Sequence, residues 1–171
     1  MRIPKIVKRD QNLFDASRAC DPEMISLYLK KGANPNCESF GFTPLLIVAQ
    51  NCRIGQNPVA AASILIDAGA DVNFVNERGE NALNFEVEGP CFDLVKFLVE
   101  KGASLLARTD ADYPLENATE INIVKFLLEH AMDPTAKGMS GVTPIENAIR
   151  VISEYHTYGD PANAAYYSEI V

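Results

Sequence analysis

The chain nearly copies one of its own segments. Leu94 to Ala103 reads LVKFLVEKGA, and Ile123 to Met132, 29 residues later, reads IVKFLLEHAM. Five of the ten positions are identical, and three more exchange one apolar side chain for another. Weaker echoes end the same way upstream, at Asp67-Ala68-Gly69-Ala70 and at Lys31-Gly32-Ala33. A self-similar unit of about 30 residues defines a solenoid, in which each unit has too little apolar surface to fold alone and buries it against the next.

Helix signals divide each unit in two. Asp21-Pro22, Thr43-Pro44 and Asn57-Pro58 each place a capping side chain before a proline at the first helical position. Apolar periodicity starts near Asn12, with Leu13, Phe14, Ala16 and Ala19 on one stripe, so the first ten residues are expected to precede the core. The helices that follow the proline signals close on Gly32 and Gly69, the residue best suited to a left-handed C-terminal turn. Strand-like alternation is absent, and the chain reads as all-α with long turns between helix pairs.

Lead-in turns recur as Gly41-Phe42-Thr43-Pro44-Leu45 and Gly141-Val142-Thr143-Pro144-Ile145, weakened at Gly79-Glu80-Asn81-Ala82-Leu83 and Ala111-Asp112-Tyr113-Pro114-Leu115. Closing motifs stand at Gly69-Ala70-Asp71-Val72-Asn73 and at Gly32-Ala33-Asn34-Pro35-Asn36. These residues resemble ankyrin repeats, a family with a 33-residue unit of a turn and two helices and a T-P-L-H-x-A lead-in. The resemblance runs from about Asn12 to Ile152. It implies an ankyrin-type helix-turn-helix repeat solenoid forming one domain, with units at 12–38, 39–76, 77–108, 109–138 and 139–158 and a capping helix over 160–171. The lead-in positions Gly41, Gly79, Ala111 and Gly141 are 38, 32 and 30 residues apart, which places an insertion at Cys52 to Gln56. The family's lead-in histidine is replaced by Leu46, Asn84, Glu116 and Glu146. The packing logic puts Leu65, Leu98 and Leu127 at equivalent core sites.

No constellation carries catalysis. His130 and His156 have no acid or nucleophile at a diagnostic spacing, and Gly138-Met139-Ser140-Gly141 lacks the flanking glycine and the strand of a nucleophile elbow. No glycine loop fits a phosphate or dinucleotide. Cys20, Cys37, Cys52 and Cys91 show neither metal spacing nor a disulfide framework, and read as small, partly buried thiols in a reducing compartment. The start of the chain has no apolar core of a signal peptide, so the expected site is the cytoplasm. The expected molecule is a monomer without cofactor or metal. A net charge of −8 argues against a nucleic-acid partner, and no apolar run is long enough for a membrane span.

The resemblance implies a non-catalytic protein–protein interaction module. Partners in the family contact turn tips and the exposed edge of each first helix. Carried onto this sequence, that concave surface comprises Ser39, Phe40, Phe42, Gln50 and Asn51, then Glu77, Arg78, Glu80 and Glu88, then Asp110, Asp112 and Tyr113, and finally Ser140, Val142 and Arg150. Acids dominate it in units three and four, whereas Lys30, Lys31, Lys96, Lys101 and Lys125 fall on second helices, where the helix dipole already favours them. A protein with a basic surface is the expected partner, with Phe40, Phe42 and Tyr113 as apolar anchors. Alternatives are an immunity or inhibitor protein for a toxin, and a regulatory or targeting subunit of an enzyme.

Overall fold

The computed structural model describes residues 7–51, 56–83 and 92–104, together with Phe126 and Glu129. Five helices stand in this part of the chain: α1 (Lys8–Arg18), α2 (Pro22–Lys30), α3 (Pro44–Gln50), α4 (Pro58–Asp67) and α5 (Phe92–Glu100). The described residues form an all-α repeat array, and the only extended pairing among them is an isolated bridge between Ser39 and Phe42. Leu127, the rest of unit four apart from Phe126 and Glu129, unit five and the expected capping helix lie outside the described residues.

Capping follows the sequence signals. The side chains of Asp21, Thr43 and Asn57 accept hydrogen bonds from the amides of Met24 (3.0 Å), Leu46 (3.3 Å) and Ala60 (3.2 Å), each ahead of a proline. Each cap satisfies an amide that the helix cannot pair itself. The second helices end alike. The amide after the closing glycine reaches back to a carbonyl five residues earlier, Ala33 to Tyr28, Ala70 to Leu65 and Ala103 to Leu98, while Gly32, Gly69 and Gly102 take a φ between 82° and 93°. A residue with a Cβ is strained in that conformation.

One turn closes this way without glycine. After α1, Cys20 has φ 46°, its amide bonds Ser17, and the Asp21 amide reaches back to Ala16. The Cys20 side chain is buried, with Sγ 3.9 Å from the Val48 carbonyl and 4.0 Å from that of Asn51. A side chain is needed to fill this space under α3, and glycine would leave it empty.

The start of α1 corrects the expectation from periodicity. The helix begins at Lys8, four residues ahead of Asn12, and its first turn belongs to the repeat framework. The Asp10 carboxylate accepts a hydrogen bond from the Asn34 amide at 3.0 Å, and the Arg9 guanidinium lies beside Gly32. These contacts hold residues that carry no apolar periodicity.

The core is continuous across the units. α1 packs on α2 and α3, α4 packs on α2, α3 and α5, and Leu13, Ile25, Leu46, Val48, Leu65, Leu94 and Leu98 are closed off from solvent between them. α3 is apolar on every side and buries all of its residues except Gln50. Leu65 and Leu98 do occupy equivalent core sites in α4 and α5.

Ser17 is fully buried in α1 with no hydrogen-bond partner for its hydroxyl. An unpaired buried hydroxyl costs about 1–3 kcal/mol. Ser17→Ala is therefore expected to raise the urea midpoint, by an amount corresponding to about 1 kcal/mol. A lower midpoint would show that the hydroxyl is bonded after all.

Candidate partner-binding surface

Two turn tips open units two and three, and they stand side by side. A Cβ built on Gly41 would lie 3.7 Å from the Asn76 Cβ. In the first tip, Ser39 and Phe42 exchange both backbone hydrogen bonds, at 2.9 and 3.0 Å, around Phe40 and Gly41. Both central residues have positive φ, 52° and 80°, as in a type I′ hairpin turn. Phe40 is 84% exposed, whereas Phe42 packs against the core.

The second tip is held by Asn76. Its Oδ1 accepts from the amides of Arg78 (2.9 Å) and Glu80 (3.0 Å), and its Nδ2 donates to Glu80 Oε2 at 2.7 Å. The Asn76 amide donates to the Glu80 carbonyl, and the Gly79 amide donates back to Asn76. Glu77 and Arg78 are exposed at the tip, while Glu80 is half-buried and engaged by Asn76.

The surface expected from the sequence thus divides. Ser39, Phe40, Glu77 and Arg78 belong to adjacent tips, and Gln50 is the exposed end of α3. Phe42, expected as a second anchor, is half-buried with its side chain against the core. Asn51 is half-buried and closes α3, with Nδ2 donating to the Ile47 carbonyl at 2.9 Å. Glu88, Asp110, Asp112, Tyr113, Ser140, Val142 and Arg150 lie outside the described residues.

Three of the lysines at the second helices are occupied within the framework. Lys96 pairs with Asp93 at 2.7 Å and lies over the Phe92 ring, Lys101 reaches Asp67 at 3.8 Å and lies over Phe97, and Lys31 lies over Tyr28. Phe92 also meets Phe126 edge-on, with centroids 5.7 Å apart.

A set of links joins the units. Asp10 accepts from the Asn34 amide, Asn36 from the Asp71 amide at 2.8 Å, and Asn73 from the Ser104 amide at 2.6 Å. Asn36 and Asn73 also donate to the carbonyls of Gly69 (2.7 Å) and Gly102 (3.1 Å). Asn81, buried where Thr43 stands in the preceding unit, accepts from the Leu83 amide at 2.8 Å and donates to the Ser104 carbonyl at 3.4 Å. Periodicity alone does not find these residues. Their signal is positional, since Asn36 and Asn73 each stand four residues after a closing glycine and Asn76 three before a tip glycine.

Nothing among the described residues supplies reactive chemistry. Burial pushes the Cys20 thiol up, and burial, with Asp10 adding to it, pushes Cys37 up to about 12, so both stay protonated at neutral pH. Among the described residues no group of three or more His, Cys, Asp or Glu side chains is placed to hold a metal, and no helix is long and apolar enough to cross a membrane.

Stacked helix pairs with closing glycines and projecting turns define a helical repeat protein of the solenoid class. The family model for ankyrin repeats, in three copies, matches residues 13–109, and the chain belongs to that family. Among similar proteins is the ankyrin repeat domain-containing protein M-T5 of Myxoma virus (strain Lausanne), 33% identical over 102 residues, covering 57% of this chain and 21% of that protein. The ankyrin repeat protein T5 of Rabbit fibroma virus (strain Kasza) is 31% identical over 93 residues, 52% of this chain and 19% of its own length. An ankyrin repeat protein of Acanthamoeba polyphaga mimivirus is 30% identical over 102 residues, 50% of this chain and 18% of its own. The matched stretch thus spans about a fifth of each of these relatives. Ankyrin repeats are in general protein–protein interaction modules.

Proposed function

We propose that the chain is a non-catalytic module that binds a protein with a basic surface through its turn tips and the ends of its first helices. One observation carries this reading: Gly41 lies against Asn76, so the exposed Phe40 and Glu77 belong to neighbouring tips. Opposite charge on a partner would steer the encounter. Lys96 and Lys101 support it from the other side, because they pair with acids and lie over rings within the framework. The reading takes the chain to act as a monomer in the cytoplasm on protein, not on nucleic acid or membrane, without cofactor. A toxin inhibitor and a regulatory subunit would use the same surface, and the identity of the bound protein separates them.

Charge reversal tests it. Glu77→Lys, Glu88→Lys and Asp112→Lys together are expected to slow association about tenfold at low salt, less at high salt, with dissociation little changed. Glu80 is left alone because it braces its own turn. The measurement uses the protein retained by the wild-type chain from its native cells, with association followed by surface plasmon resonance. Identical kinetics for the triple variant would remove the electrostatic reading.

A further inference from the structure

The neighbouring tips are built from the same turn in two different ways, and the difference singles out one side chain. This inference rests on the interaction reading above and narrows it to a single contact. At the second tip, Asn76 satisfies the amides of Arg78 and Glu80, and among its residues only Gly79 takes positive φ. The chain therefore has a relaxed way of making this turn. At the first tip, Glu38 stands where Asn76 stands, and Phe40 stands where Arg78 does. Without the asparagine latch the turn closes as a two-residue hairpin, which drives Phe40 to φ 52°. That conformation disfavours any residue with a Cβ and is most often left to Gly, Asn or Asp. The same residue is 84% exposed, while Phe42 two positions on packs against the core.

Strain and exposed apolar surface both work against the free chain, and the second tip shows that the fold demands neither. Strain at a site over-determined by its surroundings points to function when it is seen first and explained second. The geometry points to Phe40 as the anchor that enters an apolar pocket on the protein partner. The partner's rim would be cationic, because the two tips expose the carboxylates of Glu38, two residues before Phe40, and of Glu77 on the neighbouring tip. Arg78 is exposed on that tip as well, at the position that matches Phe40. Aromatic side chains held rigidly at the centre of a contact, ringed by polar groups, are the usual hot spots of an interface.

Two measurements test the proposal. The first needs only the chain: Phe40→Asn and Phe40→Gly relieve the left-handed strain and are expected to unfold in urea at the same or a higher midpoint. A lower midpoint for both would show that Phe40 holds the turn, and would overturn the proposal. The second uses p-benzoylphenylalanine as the probe, placed at position 40, at 77 and, as a control on α2, at 27. The variants are irradiated in the cells that naturally produce the chain, and the linked peptides are mapped. Position 40 is expected to link to an apolar segment of another protein flanked by Lys or Arg. That protein is then expected to bind Phe40→Asn about thirtyfold more weakly than the wild type. Links from 77 with none from 40 would overturn the anchor and leave the interaction reading standing. An absence of links from both would overturn the two together, and links between two copies of this chain would replace the partner pocket with self-association.

Discussion

Leu65→Ala is expected to lower the unfolding free energy by about 3 kcal/mol, the middle of the range for leucine truncation in a closed core. Leu65 is 0% exposed in the last turn of α4, the helix that packs on α2, α3 and α5. The loss combines the missing transfer free energy with the cavity left behind, and small neighbours such as Ala61 and Ala62 have no long side chain to swing into it. Stability of a solenoid is a sum over units and their interfaces, and a defect in α4 weakens the contacts on both of its sides. Against a total of about 5–15 kcal/mol for a domain, this single change is large. Urea unfolding followed by far-ultraviolet circular dichroism measures it. Leu27→Ala, on the outer side of α2 at 40% exposure, is the comparison and is expected to lose less than about 1 kcal/mol. Similar losses at the two positions would mean that α4 is not the closed centre of the array.

Leu65 was legible because two kinds of signal agree on it. Periodicity places it on the buried stripe, and the near-duplicate segment places Leu98 at the same step of the next unit. The same agreement made Asp21-Pro22, Thr43-Pro44 and Asn57-Pro58 readable as helix starts, since cap chemistry depends on neighbours within one turn. Legibility failed where a residue's role depends on a segment far along the chain. Asp10 carries no apolar signal, and the amide it accepts from belongs to Asn34, so α1 was expected to start too late. Phe42 and Phe40 look alike as aromatics in one turn, yet one packs inward and the other outward because the hairpin closes with positive φ at two successive residues. Cys20 in a glycine's backbone position is invisible to composition, and its reason lies under α3, about 30 residues away by the spacing of its nearest carbonyls. Glu80 reads as one more surface acid in the sequence, yet Asn76 Nδ2 donates to its carboxylate.

Removing the asparagine links is the second large effect. Asn36→Ala and Asn73→Ala together are expected to lower stability by about 2–4 kcal/mol, since each removes one bond given and one received at about 1 kcal/mol net apiece. Asn36 bridges to the Gly69 carbonyl and the Asp71 amide, and Asn73 does the same to Gly102 and Ser104. Both glycine carbonyls follow a helix end, where backbone groups otherwise have only water. Because these links are solvent-exposed, water replaces part of what is lost and holds the figure below that of a buried network. The two sites meet at Asp71, whose amide bonds Asn36 and whose carboxylate accepts from the Asn73 amide at 2.9 Å, so the double variant is expected to depart from additivity. Asn36→Asp separates the components: it keeps an acceptor for Asp71 but sets a carboxylate against the Gly69 carbonyl, and is expected to be no more stable than Asn36→Ala. Amide hydrogen exchange gives the local readout, with protection lost at Asp71 and Ser104 while the core amides of α3 and α4 slow or quicken only with global stability. Leu106, four residues after Gly102, stands where Asn36 and Asn73 stand after their own glycines, and its side chain has nothing to donate or accept. If exchange at Asp71 and Ser104 is unchanged in the double variant, the asparagines decorate the surface and packing alone holds the units in register.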